Sequence, residues 1–108
     1  MSLDFSLICK CCNREIFEIN ITHNLGKMAS EAKIYKHLWS PEEVGIKYAG
    51  QLIKPLKRAI RDLEARPCYY KKYNASNGWG LYKHFVPFVK DIFKACVQDK
   101  KAIVEISK

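Results

Sequence analysis

Ala102-Ile103-Val104-Glu105-Ile106, close to the C-terminal end of the chain, decides the fold. Its β-branched residues read as a short strand, and a strand by itself leaves backbone N–H and C=O groups without partners. The partner has to come from the other end of the sequence. There, residues 3–8 carry Leu3, Phe5, Leu7 and Ile8, and Lys10 to Arg14 is a polar stretch with the turn residue Asn13. Glu15-Ile16-Phe17-Glu18-Ile19-Asn20-Ile21 then resumes with a period near two. This pattern predicts a β-hairpin, 3–9 with 14–21. The expected architecture is α+β: a small three-stranded sheet, antiparallel or mixed, made of the N-terminal hairpin and the C-terminal strand, packed with three main helices on one face.

The helices follow from apolar spacing. Leu25, Met28, Ala29, Ala32 and Tyr35 share a face and predict a helix over about 25–37, with Asn24 as its N-cap. Ser40-Pro41-Glu42-Glu43 reads as a capping box opening a helix that runs to about 65. Pro55 falls inside it and predicts a kink or break. Cys68 to Tyr73 is aromatic and basic and fits a short helical turn. A last helix over about 81–98 turns Phe85, Phe88, Val89, Ile92, Phe93 and Cys96 inward, with Pro87 near its first turns.

The length of 108 residues and the 48% hydrophobic content fit one domain, 1–108, with a core of its own. No apolar run is long enough to span a bilayer, so no membrane association is expected. Cysteine usage is odd-numbered (Cys9, Cys11, Cys12, Cys68, Cys96), which argues for a reducing, cytoplasmic setting. In that setting the sequons at Asn20 and Asn74 carry no glycan. The net charge of +8 makes nucleic acid a possible partner, through Lys54, Lys57, Arg58 and Arg61 on the long helix. The cations are otherwise dispersed, as on solvated Lys-rich helix faces.

Two polar stretches stand out: Asn20-Ile21-Thr22-His23-Asn24 and Asn74-Ala75-Ser76-Asn77-Gly78-Trp79-Gly80. Each lies where an apolar pattern stops and a helix is about to start. Asn amides and a neutral His offer donors and acceptors suited to an uncharged, hydrogen-bonding ligand. Gly78 and Gly80 permit close backbone approach, and Trp79, Tyr82, Tyr69 and Tyr70 offer stacking surfaces. The same residues also fit two elaborate helix caps, with Asn77-Gly78 a turn and Trp79 a core plug.

The strings Asn20-Ile-Thr-His-Asn-Leu25 and Asn77-Gly-Trp-Gly-Leu-Tyr82, with Pro41-Glu-Glu43 between them and an aliphatic strand ending in Ser107-Lys108, carry a resemblance. From about Glu15 to the end, the chain resembles a family of small uncharacterised proteins of bacteria and their phages. The resemblance implies that Asn20, Thr22, Asn24, Asn77, Gly78, Trp79, Gly80 and Tyr82 matter. It implies no activity. The cysteine-rich N-terminus varies in that family, which counts against a shared metal site.

Cys9-Lys-Cys-Cys12 gives one CxxC, half of a zinc site, with His23, His37, Cys68 and Cys96 scattered as further ligands. No helix follows the CxxC to stabilise a thiolate, which weakens a redox reading. None of His23, His37 and His84 sits in a catalytic motif. The sequence therefore points to a small accessory protein, leaning non-catalytic, with no metal and no cofactor. Its expected ligand-binding residues are Asn20, Thr22, His23, Asn24, Asn77, Gly78, Trp79, Gly80 and Tyr82, taking a small polar ligand or a protein segment. Nucleic-acid binding is the alternative, and an enzyme of unknown reaction the third.

Overall fold

The computed structural model describes residues 2–74, 78 and 80–108. Its sheet has the order β2-β1-β3, with β1 (Ser2–Ile8) between β2 (Glu15–Thr22) and β3 (Ile103–Ser107), and both pairings are antiparallel. The expected α+β architecture is present, with its sheet antiparallel throughout. Strand alternation divides the faces. Leu3 opposite Ile21, Phe5 between Ile19 and Ile106, and Leu7 between Phe17 and Val104 face the helices. Asp4, Ser6, Glu18, Asn20, Glu105 and Ser107 fill the outer face.

Helices α1 (Gly26–Glu31), α2 (Tyr35–Trp39), α3 (Ile53–Ala65), α4 (Pro67–Lys71) and α5 (Tyr82–Gln98) supply most of the rest of the core, and residues of the turns between them, such as Leu25, Ile34 and Leu52, complete it. α5 packs on the sheet and against α3. Its inward residues Phe85, Phe88, Val89, Ile92 and Cys96 are buried, and Phe93 is partly buried against them. Pro87 lies inside α5 without ending it. The donor it removes would have served Lys83, an exposed residue in the first turn.

Two expected helices are divided, each for a local reason. The helix over 25–37 becomes a 3-10 turn at His23–Leu25 followed by α1 and α2. The break is a Schellman ending: Lys33 N–H donates to Ser30 O and Ile34 N–H to Ala29 O, both at 3.0 Å. Lys33 takes the left-handed position, φ 64°, where glycine is usual. The helix from 41 to 65 becomes a 3-10 turn at Pro41–Val44, a left-handed Gly45, a second 3-10 turn at Ala49–Leu52, and then α3. Ser40 makes no side-chain cap. The Gln51 side chain takes over the role of a start signal, its Oε1 accepting from Lys47 N–H (2.7 Å) and Tyr48 N–H (2.9 Å). Pro55 then falls in the first turn of α3, where a missing N–H is tolerated, and the break between the second 3-10 turn and α3 comes just before it.

The segment after Gly45 covers the outer edge of β3. Val104 N–H donates to Lys47 O (2.9 Å), Ala49 N–H to Ala102 O (2.9 Å) and Gly50 N–H to Lys100 O (2.8 Å). An edge strand is thereby shielded from pairing with other chains.

Candidate functional site

The two polar bends do meet. Gly80 is buried, and a Cβ built on it would stand 3.0 Å from Asn24 Cβ and 3.2 Å from Thr22 Cγ2. Its φ of 111° lies in the range that L residues avoid. The backbone of the late bend therefore lies directly on the side chains of the early one.

Several of the expected binding groups there have partners inside the protein. Thr22, not Asn24, caps the first turn: its Oγ1 accepts from Asn24 N–H at 3.3 Å. His23 Nδ1 accepts from Trp39 Nε1–H at 2.8 Å, which places the imidazole proton of the neutral ring on Nε2. Trp39 is 2% exposed, so this bond satisfies an otherwise stranded indole donor. Asn74 Oδ1 accepts from Tyr82 N–H at 2.7 Å and caps α5 across the bend. The Tyr82 hydroxyl donates to Leu63 O at 2.7 Å. That carbonyl has no helical partner, because the residue four positions on is Pro67. Burial, then the Glu64 carboxylate, raises the Tyr82 phenol above its ordinary value. Asn20 is exposed on the outer sheet face opposite Asp4, and Asn24 and Gly78 are exposed as well. Asn77 and Trp79 lie outside the described residues.

A second constellation lies between the end of α1 and the second half of α3. Arg66 grips Asp62 with two hydrogen bonds, Nε to Oδ1 at 3.1 Å and Nη2 to Oδ2 at 2.6 Å. The hydroxyl of the fully buried Tyr70 also donates to Asp62 Oδ2. On the α1 side, Glu31 Oε1 accepts from the Tyr69 hydroxyl and, at 3.2 Å, from the Tyr73 hydroxyl. These contacts set the electrostatics. The Arg66 guanidinium, then the Tyr70 hydroxyl, holds the Asp62 carboxyl below the usual range. The Tyr69 and Tyr73 hydroxyls do the same for Glu31. Burial first, and then Asp62, pushes the Tyr70 phenol up to about 12.

Next to this network opens a cleft of about 200 Å3, lined by Glu31, Ala32, Lys33, Arg58, Asp62 and Arg66. The side chains of Lys33 and Arg58 make no hydrogen bond or ion pair with any described residue. The left-handed Lys33 places a cationic residue at the lip. Near Arg58 lies His37, whose buried Nδ1 has no hydrogen-bond partner among the described residues. Burial, then the Arg58 charge, lowers its pKa and so favours the neutral ring.

The cleft was not anticipated from the sequence, although parts of its signal are present. Asp62 and Arg66 have helical i,i+4 spacing. Of the expected stacking surfaces, the Tyr69 ring is covered by the protein's own cations. The Arg66 guanidinium lies 4.5 Å and Lys72 Nζ 5.0 Å from the Tyr69 ring centre. Lys54, Lys57, Arg58 and Arg61 are all exposed on α3. Cys11, Cys12 and Cys68 are exposed, Cys9 is half-buried and Cys96 is buried. Among the described residues no three His, Cys, Asp or Glu side chains gather closely enough to share a metal ion. No described helix is long and apolar enough to cross a membrane. In comparisons with known proteins, no family model, no curated protein and no solved structure matches this chain.

Proposed function

We propose that this protein is a small, non-catalytic binding protein whose polar ligand carries a negative charge and enters the cleft between α1 and α3. The observation that carries this reading is the pair Lys33 and Arg58, two cationic side chains lining a concavity, neither of them in a direct ion pair with a described residue. Of the remaining charges, Arg66 and Asp62 offset one another, and Glu31 keeps its negative charge, its Oε1 occupied by two tyrosine hydroxyls, so the lining is left net positive. A carboxylate or phosphate group would gain charge-assisted hydrogen bonds from Lys33 and Arg58, offset in part by the rotamer entropy these two exposed side chains lose. About 200 Å3 is below the roughly 300–1,000 Å3 of typical cofactor pockets, so a small metabolite fits better than a nucleotide. The non-catalytic side of the reading rests on the same groups. The carboxylates of the cleft are held in their charged form, away from the neutral range that suits a general acid or base.

On this reading the bend residues Thr22, His23, Gly80 and Tyr82 brace α1 and the start of α5. A second reading, in which a partner segment docks on the bends, is supported by the exposure of Asn20, Asn24 and Gly78 and by the meeting of the two bends where Gly80 rests on Asn24. The resemblance to small bacterial and phage proteins belongs to this second reading, since it is carried by the bends.

A thermal-shift panel of acetate, glutamate, inorganic phosphate and a phosphate monoester tests the proposal. A ligand that binds only the folded chain at a hundred times its Kd raises stability by about 2.7 kcal/mol. Stabilisation by at least one of these anions that disappears in Arg58→Ala is expected. A flat panel, together with duplex DNA retardation that collapses with salt, would instead assign the basic α3 face to nucleic acid.

A further inference from the structure

Three of the five cysteines sit in the turn that joins β1 to β2. Cys9 N–H donates to Arg14 O at 2.7 Å, and Asn13 N–H donates to Cys9 O at 2.9 Å. The second bond spans four residues and closes a single helical turn, which Asn13 ends in the left-handed region at φ 58°. In a helical turn, Cα atoms three residues apart are about 5 Å from one another and share a face. That separation falls within the roughly 4.4–6.8 Å that a disulfide spans. Cys12 is therefore placed to pair with Cys9. Cys11 is not: neighbouring Cα atoms are only about 3.8 Å apart, and residues two apart on a helical turn face different ways.

The turn also answers the objection that no helix follows this CxxC. The Cys12 N–H, the Cys12 thiol and the Cys11 N–H all hydrogen-bond the Cys9 sulfur, and they hold its thiol below the ordinary value against burial and the Asp99 carboxylate. Lys10 Nζ lies 5.2 Å from the centre of the Tyr48 ring, which props the tip against the body of the protein. Cys12 is exposed and Cys9 half-exposed, so a small reagent can reach the pair.

We propose that Cys9 and Cys12 form a reversible dithiol–disulfide pair at the hairpin tip, which exchanges with small disulfides of the glutathione type. The Cys9 thiolate attacks one sulfur of the small disulfide, the S–S bond breaks, and one small thiolate leaves and takes up a proton. The Cys12 thiol gives up its proton, and the resulting thiolate attacks Cys9 sulfur in the mixed disulfide. The Cys9–Cys12 bond forms and the second small thiolate leaves and is protonated. Two thiols of the protein are oxidised and one small disulfide is reduced to two thiols. Cys96 stays outside this exchange because it is buried, which pushes its thiol up to about 12. Cys68, on α4, has no neighbouring thiol in the turn.

The test is to equilibrate the full chain with graded ratios of oxidised and reduced glutathione, quench in acid, alkylate, and read intact mass and peptide linkage. A monomer lighter by two hydrogens is expected, linked Cys9 to Cys12, in the wild type and in Cys11→Ser alike. Cys12→Ser should stop at a glutathione adduct on Cys9. Stable glutathione adducts in the wild type without an internal bond, a linkage through Cys11, or cross-linked dimers would each overturn the proposal.

Discussion

Gly80 rests on Asn24 so closely that a methyl group at position 80 would lie 3.0 Å from the Asn24 Cβ, and its φ is 111°. Space and backbone angle both exclude a side chain. Gly80→Ala should therefore lower stability by about 1–3 kcal/mol. Gly78→Ala is the control, since φ 80° there meets open space. It should cost less, because only the backbone angle opposes it. Chemical denaturation midpoints of the two variants check the difference.

Lys33 holds a left-handed position that glycine occupies more easily. Lys33→Gly should raise stability by up to about 1 kcal/mol. It also removes one of the cationic side chains that line the cleft, so anion binding should fall. A stability gain paired with a binding loss, read by thermal melts with and without anion, is the expected outcome.

His23, half-buried, and the buried Trp39 form a pair through Nδ1 and Nε1–H. His23→Ala leaves the indole donor unpaired and should cost about 1–3 kcal/mol. In Trp39→Phe the histidine substitution should cost less, because no donor is stranded. A double-mutant cycle measures that coupling.

Glu31 and Asp62 both have carboxyls held below their ordinary values. Such a group binds its proton more weakly in the folded chain. Its contribution is complete above the unfolded pKa, near 4, and is lost as pH falls through the lower folded value. Tyr70, pushed up to about 12, acts with the opposite sign. Its contribution is complete below the unfolded value, near 10, and is lost as pH rises through the folded one. Acid titration of the denaturation midpoint should fall less steeply below about pH 4 in Glu31→Gln/Asp62→Asn than in the wild type.

The sheet was legible because a strand pattern such as Ile103-Val104-Glu105-Ile106 has obligatory backbone needs that few partners can meet. The inward faces of β1 and α5 followed from period alone. The two divided helices were not legible, because nothing in the letters of Lys33 announces a left-handed backbone. Gln51, likewise, displaced Ser40 as the start signal through side-chain bonds to Lys47 and Tyr48. At the site, the meeting of the bends could be anticipated from Gly80, but the internal partners of His23 and Tyr82 depend on which distant residues pack there. The cleft needed Glu31 and Lys33 brought beside Arg58 and Arg66, a tertiary fact with only the Asp62–Arg66 spacing written in sequence.

The central claim, a cleft that binds a small anion, is tested most directly by titrating inorganic phosphate into isotope-labelled protein at constant ionic strength and following amide and side-chain NMR signals. Saturable shifts clustered on Lys33, Arg58 and Arg66, and absent in Arg58→Ala, are the expected result. Shifts that never saturate, or that spread over Lys54, Lys57 and Arg61 with the cleft unmoved, would contradict it.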